Sequence, residues 1–225
     1  IAGEDPTVAQ IDADLKLLSG TTRAVRTYSS VGTLGEIPAL ARKHGLKVML
    51  GSWIDSDRER NAREVEATIR LANGDRNVTR ILVGNEVVLR GDLPVEDLAA
   101  HLDRVRAATR QPVSTAEPWH VWIKHPELVA HVDFITVHML PYWEGVEVEA
   151  AVAKLAAVQA AFPGKPLVIG EVGWPSEGRT RESAVATTAN EALFLRRFLA
   201  YAESQRLEYF VMEAFDQPWK AAAEG

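Results

Sequence analysis

The chain has 225 residues, of which 47% are apolar and 25% charged, with a net charge of −6 and no cysteine. That length and composition fit one globular domain, residues 1–225, and the missing thiols exclude disulfides, thiolate metal sites and cysteine nucleophiles. Charges of both signs are interspersed without the basic run that marks nucleic-acid binding, and no apolar stretch approaches the ~18 residues of a membrane span.

The chain starts at Ile1 rather than at a methionine and carries no signal-peptide pattern, so something upstream is expected to have been removed. Val8, Ile11, Leu15 and Leu18 recur at helical spacing, with Thr7 and Gln10 set as a capping box after Pro6. Gly20 follows as an expected left-handed helix stop, as do Gly45 and Gly164 after later helical stretches. Short β-branched apolar runs fall at 24–28, 47–53 and 79–88. A second clear helix begins beyond Pro94, with Glu96 and Asp97 where the helix dipole favours acids and Val95, Leu98, Leu102 and Val105 as its core stripe. Further runs lie at 112–116, 134–138, 166–170 and 209–215.

Seven such runs alternating with helices predict parallel strands in an α/β fold. The expected architecture is a (β/α)8 TIM-type barrel that lacks its first strand and last helix within these residues, with an open doubly wound sheet as the rival. An open seam would leave two unpaired strand edges, so a trimmed copy of a longer barrel is expected.

Two acids stand where buried strands should be purely apolar. Glu86 follows Ile-Leu-Val-Gly-Asn and Glu171 follows Leu-Val-Ile-Gly. Burying an unpaired carboxylate is costly, so each acid requires a structural partner or a function. Strand C-termini carry the active site in barrel enzymes, and with a first strand missing these runs become the fourth and seventh, across the mouth from each other. A retaining glycosidase needs such a pair, about 5 to 5.5 Å apart, one to protonate the leaving oxygen and one to attack the anomeric carbon. Asn85 offers an amide for the sugar 2-hydroxyl.

The segments Val83-Gly84-Asn85-Glu86, 168–176 around Glu171, and 213–220 resemble glycoside hydrolase family seventeen, which contains endo-β-1,3-glucanases, licheninases and β-1,3-glucanosyltransferases. The resemblance implies a retaining mechanism on a (β/α)8 barrel, with Glu86 as acid/base and Glu171 as nucleophile. It implies a β-1,3-linked gluco-oligosaccharide or polysaccharide as partner, and no cofactor. The closing segment is more similar to bacterial and fungal members than to plant ones, which implies a shorter cleft and transfer activity beside hydrolysis. A monomer acting in an extracellular or periplasmic space is expected.

Sugar rings stack their C–H faces on aromatic side chains while polar groups hold the hydroxyls. Tyr28, Trp53, Trp119, Tyr142, Trp143, Trp174 and Trp219 all fall at or just after expected strand ends. His138, Glu213, Asp216 and Lys220 are polar residues in or beyond strand runs and are expected to orient the nucleophile or hold hydroxyls. Glu117, in Thr-Ala-Glu-Pro-Trp, is a further candidate with less support. His120, His125, His131 and His138 match no His-Glu-x-x-His spacing, so no metal site is expected. Serine-hydrolase, Rossmann and P-loop motifs are missing. The remaining rival class is a carbohydrate-binding barrel without catalysis.

Overall fold

Thr7 opens the first helix, α1 (Val8–Leu18), with both halves of the expected capping box: Gln10 N–H donates to Thr7 Oγ1 and Thr7 N–H donates to Gln10 Oε1. The computed structural model describes residues 5–162, 164–217 and 220, and the chain divides into two compact units, Ile1–Ile135 and Thr136–Gly225. Trp219 lies outside the described residues. No helix among them is long and apolar enough to cross a membrane.

In the first unit α1 is followed by β1 (Ala24–Arg26), a 3-10 turn (Gly32–Glu36), α2 (Ile37–Lys43), β2 (Lys47–Ser52), α3 (Arg58–Gly74) and β3 (Val78–Asn85). Then come α4 (Val87–Arg90), α5 (Val95–Ala108), β4 (Val113–Pro118), α6 (Trp119–Lys124) and a second 3-10 turn, Pro126–His131. β1, β2 and β3 each pair in parallel with the next strand in sequence, in registers such as Val25↔Val48, Leu50↔Ile81 and Ile81↔Val113. That order contains no reversal of the kind that defines a doubly wound sheet. Val48, Leu50, Ile81, Val83 and Val113 are buried, and so is the α5 stripe of Leu98, Leu102 and Val105. Apolar strands under an apolar helix stripe are how parallel sheets bury both faces.

The second unit contains β5 (Ile135–Met139) from its second residue on, α7 (Ala151–Ala161), β6 (Leu167–Val172), α8 (Thr188–Gln205) and β7 (Glu208–Val211). β6 and β7 pair in parallel. Phe194 and Phe198 of α8 stack on each other and continue to Tyr209 of β7 at 5.0 Å between ring centroids.

All seven expected runs are strands, and the fold is of the (β/α)8 TIM type with seven strands among the described residues. The first and last runs are shorter than expected, ending at Arg26 rather than 28 and at Val211 rather than 215, and two further details differ. The third run ends at Asn85 rather than 88, because Gly84 and Glu86 both take positive φ (88° and 56°) and turn the chain into α4. Gly45 and Gly164 are left-handed as expected, but Gly20 is not; α1 ends through a right-handed turn at Ser19 (φ −62°, ψ −18°).

One buried acid ties two loops of the first unit to α3. The Glu64 carboxylate accepts Ser29 Oγ at 2.5 Å, the Ser30 N–H at 2.9 Å and the Trp53 N–H. Thr68 Oγ1 donates to Ser30 Oγ, which donates to the Gly51 carbonyl. Gly51 must be glycine, since a Cβ there would lie 2.1 Å from the Thr27 carbonyl oxygen. Burial pushes Glu64 above the ordinary carboxylate range, against the opposing pull of its donors. The loops after β1 and β2, which carry Tyr28 and Trp53, are therefore anchored to one side chain. Glu64→Ala is expected to lower unfolding free energy by about 2 to 4 kcal/mol, because buried donors lose their acceptor; chemical denaturation measures this, and a loss under ~1 kcal/mol would show other anchors.

Candidate active site

The candidate residues fall into two groups, one in each unit, at or beyond the C-terminal ends of that unit's strands. The first is built on the turn that closes β3. Gly84 cannot be replaced, since a Cβ would lie 2.6 Å from Val87 Cγ2 in a backbone already at φ 88°. Glu86 itself holds the left-handed conformation, φ 56° and ψ 33°, which is uncommon outside glycine and asparagine and is held only where surroundings dictate it.

Those surroundings can be named. Glu86 N–H donates to the Ala116 carbonyl at 2.7 Å, carrying the link to β4 beyond the end of β3. Arg90 donates to the Asn85 carbonyl and, at 2.9 Å, to the Ile54 carbonyl, and pairs with Asp92 at 2.6 Å. Its guanidinium also lies 4.7 Å from the centroid of Trp53, whose ring nitrogen donates to Asp55 at 3.1 Å. Arg26 donates to Asn85 Oδ1 at 2.5 Å and stacks on Tyr28 at 4.7 Å. The Asn85 amide is thereby oriented with its nitrogen as the end that can donate to a ligand. Tyr28 is 38% exposed, open enough to offer a ring face.

Glu117, near the end of β4, is fully buried. Its two oxygens accept the N–H groups of Val88 (2.8 Å) and Leu89 (3.3 Å) in α4. Burial, as the largest influence, pushes its carboxyl up to about 7; the two N–H bonds and Arg90 pull downward, and repulsion from Glu86 adds to the rise. Trp119 follows at the start of α6, edge-on to His120 at 5.8 Å.

In the second unit Glu171 lies within β6 and is 6% exposed. His138 of β5, also buried, places Nε2 3.4 Å from Glu171 Oε1. Tyr142 and Trp143 form the turn after β5, edge-on to each other at 5.0 Å, and Tyr142 meets Trp174 edge-on at 5.7 Å. Trp174 donates to the Val185 carbonyl at 3.0 Å, and Tyr142 donates to the Arg179 carbonyl while Arg181 lies 5.6 Å from its ring. Tyr142 and Trp174 are almost wholly buried, so they build a wall more than a stacking platform. A cleft of about 530 Å³ lies here, lined by Trp143, Trp174, Glu213, Asp216 and Lys220 among others. Glu213 accepts from Lys220 Nζ at 3.0 Å and from Gln217.

Histidines 125 and 131 pair with Glu127 at 3.0 Å and Asp103 at 2.9 Å. Sequence reading passes over Arg26 and Arg90. Arg26 carries the signal that singled out Glu86, a charge inside an apolar strand run, and could have been found the same way. Arg90 carries none, since an arginine there looks like a solvated helix charge.

The family described as the BtgE/BtgC glycoside hydrolase domain matches residues 2–225. The chain is 30% identical over 231 residues to a glucan 1,3-beta-glucosidase of Schizosaccharomyces pombe, covering 92% of this chain and 72% of that protein. Among solved structures, the glycoside hydrolase family 17 beta-1,3-glucanosyltransferase of Rhizomucor miehei is 31% identical with a TM-score of 0.86, covering 96% of this chain and 85% of that one. An active-site mutant of the Rhizomucor miehei beta-1,3-glucanosyltransferase in complex with laminaritriose gives a TM-score of 0.87 at 30% identity. A match that spans the sequence almost end to end settles the kinship: this chain belongs to the BtgE/BtgC glycoside hydrolase domain family.

Proposed function

We propose that residues 1–225 act as one catalytic domain of the family-seventeen type, cleaving β-1,3-linked glucan with retention of anomeric configuration. Glu86 serves as acid/base and Glu171 as nucleophile. The observation that carries this reading is the pair of glutamates at the C-terminal ends of β3 and β6, with Arg26 holding Asn85 beside Glu86 in sequence and His138 3.4 Å from Glu171. The names borne by the relatives, glucan 1,3-beta-glucosidase and beta-1,3-glucanosyltransferase, support the substrate class. A polymeric glucan substrate fits an extracellular or periplasmic location, and one chain supplies both glutamates, which fits a monomer.

In the first step a Glu171 oxygen attacks the anomeric carbon while the bond to the leaving oxygen breaks and Glu86 gives that oxygen its proton. In the second, Glu86 takes a proton from water, and the resulting oxygen nucleophile displaces Glu171 from the sugar. His138, 3.4 Å from Glu171, orients the nucleophile. The donor end of the Asn85 amide holds the sugar 2-hydroxyl, a contact that strengthens as charge develops on the ring. Tyr28, Trp53, Trp119 and Trp143 supply faces for sugar rings, with Glu213, Asp216 and Lys220 toward their hydroxyls.

Glucanosyl transfer is the second reading, in which a sugar hydroxyl replaces water in the second step. Its support is the similarity to the Rhizomucor miehei transferase, 31% identical with a TM-score of 0.86.

Glu171→Ala is expected to abolish turnover of every substrate. Glu86→Ala is expected to lose about 10² to 10⁴-fold on unactivated glucan while retaining attack on aryl glycosides whose leaving group needs no proton; equal losses on both substrates would refute the assignment. Incubation with a linear β-1,3-gluco-oligosaccharide, followed by mass and linkage analysis, separates the two outcomes. Shorter products alone mean hydrolysis, longer ones mean transfer, and an unchanged substrate would contradict both.

A further inference from the structure

Glu117 is a buried acid that the two-glutamate mechanism does not use. Its side chain contributes nothing to the strand ladder of β4, and it spends both oxygens on a neighbouring element: the first turn of α4, through the Val88 and Leu89 N–H groups. A four-residue helix has almost no cooperative stability of its own. The residue in its N-cap position, Glu86, makes no side-chain capping bond. Its own carboxyl is thus not spent on the helix, and the capping function comes from the next strand instead.

We propose that Glu117 is a positioning residue for Glu86: by accepting the Val88 and Leu89 N–H groups it fixes the left-handed turn that presents the Glu86 carboxyl to the leaving-group oxygen. This rests on the reading of Glu86 as acid/base. Three links converge on the same turn. Glu86 N–H is bonded to Ala116, the residue immediately before Glu117, so β4 grips the backbone of the turn on one side and its helix on the other. Arg90, at the far end of α4, reaches back to the carbonyl of Asn85. The charged groups around Glu117 within this unit are Glu86 and Arg90, with Asp92 paired to Arg90 and Arg26 held on Asn85. Repulsion between Glu86 and Glu117 disfavours both being charged at once, a sign that the two carboxyls sense each other electrostatically.

A residue that only stabilised the fold would, when altered, reduce all reactions alike. One that aims the proton donor affects only reactions that need the proton. The test is Glu117→Gln, which keeps the size but can accept only one of the two N–H groups and presents a donor to the other. kcat/KM is measured on a linear β-1,3-gluco-oligosaccharide and on a 2,4-dinitrophenyl β-1,3-gluco-oligosaccharide, with Glu86→Ala in parallel. The expected result is a loss of about tenfold or more on the unactivated substrate, the scale of a small misplacement of a catalytic group, and less than about twofold on the activated one, which needs no proton. Equal losses on both, or no loss on either, would overturn the proposal. If Glu117→Gln does not fold, Glu117→Asp replaces it, keeping the charge on an arm too short for both amides, and must show the same selective loss. Glu86→Ala that fails to discriminate the substrates overturns the acid/base reading itself. Discrimination by Glu86→Ala but not by the Glu117 variants overturns only the positioning role.

Discussion

When a buried parallel strand ends, its last backbone groups must pass to a loop without leaving an N–H unpaired in the interior. In the first unit this chain meets that constraint with carboxylates placed on other elements. Glu64 of α3 takes the N–H groups of Ser30 and Trp53 where β1 and β2 give way to loops, and Glu117 of β4 takes those of Val88 and Leu89 where β3 gives way to α4. Burial acts against ionisation of both acids, and the N–H groups they accept pull the other way. Tyr28, Trp53 and Glu86 all stand on loops or turns held by these two acids.

Much of the fold could be read from period alone. Parallel strands buried on both faces show as β-branched apolar runs, and helices between them show a stripe every three or four residues; both signals are local and survive without tertiary information. Where reading failed, the deciding force was not local. Val87 and Val88 look like strand, yet Gly84 and the left-handed Glu86 turn the chain before them. Gly20 sits where a helix stop belongs, but the right-handed turn at Ser19 already provides acceptors on Leu17 and Leu18 for the next N–H groups.

The site was legible to the extent that it breaks the fold's own pattern. A charge in an apolar run is visible in one dimension, and that marks Glu86, Glu171 and, with closer attention, Arg26. Glu64 was hidden because α3 is studded with charges, so a buried acid among them has no distinguishing spacing. The aromatics were visible as residue types, but their use was not. Tyr142 and Trp174 are consumed by edge-on packing and backbone hydrogen bonds, whereas Tyr28 keeps an open face, and only side-chain geometry separates these cases.

The two glutamates are held in different ways, and the difference fits the chemistry proposed for each. Glu171 is part of β6, so its backbone is fixed by the ladder, and His138 Nε2 lies 3.4 Å from its carboxyl. That suits the proposed nucleophile, whose task is to form and release one bond at one carbon. Glu86 stands just past its strand on a turn whose conformation is imposed from outside, by Ala116, Glu117 and Arg90. An acid/base must face a leaving oxygen in one step and an incoming one in the next, and so has to be aimed at a point off the strand axis. A left-handed residue redirects the side chain in a way that extended backbone does not, at a conformational cost that only surrounding contacts can offset. The density of partners around this turn is therefore what the proposed role of Glu86, a proton donor presented from the end of a strand, would require.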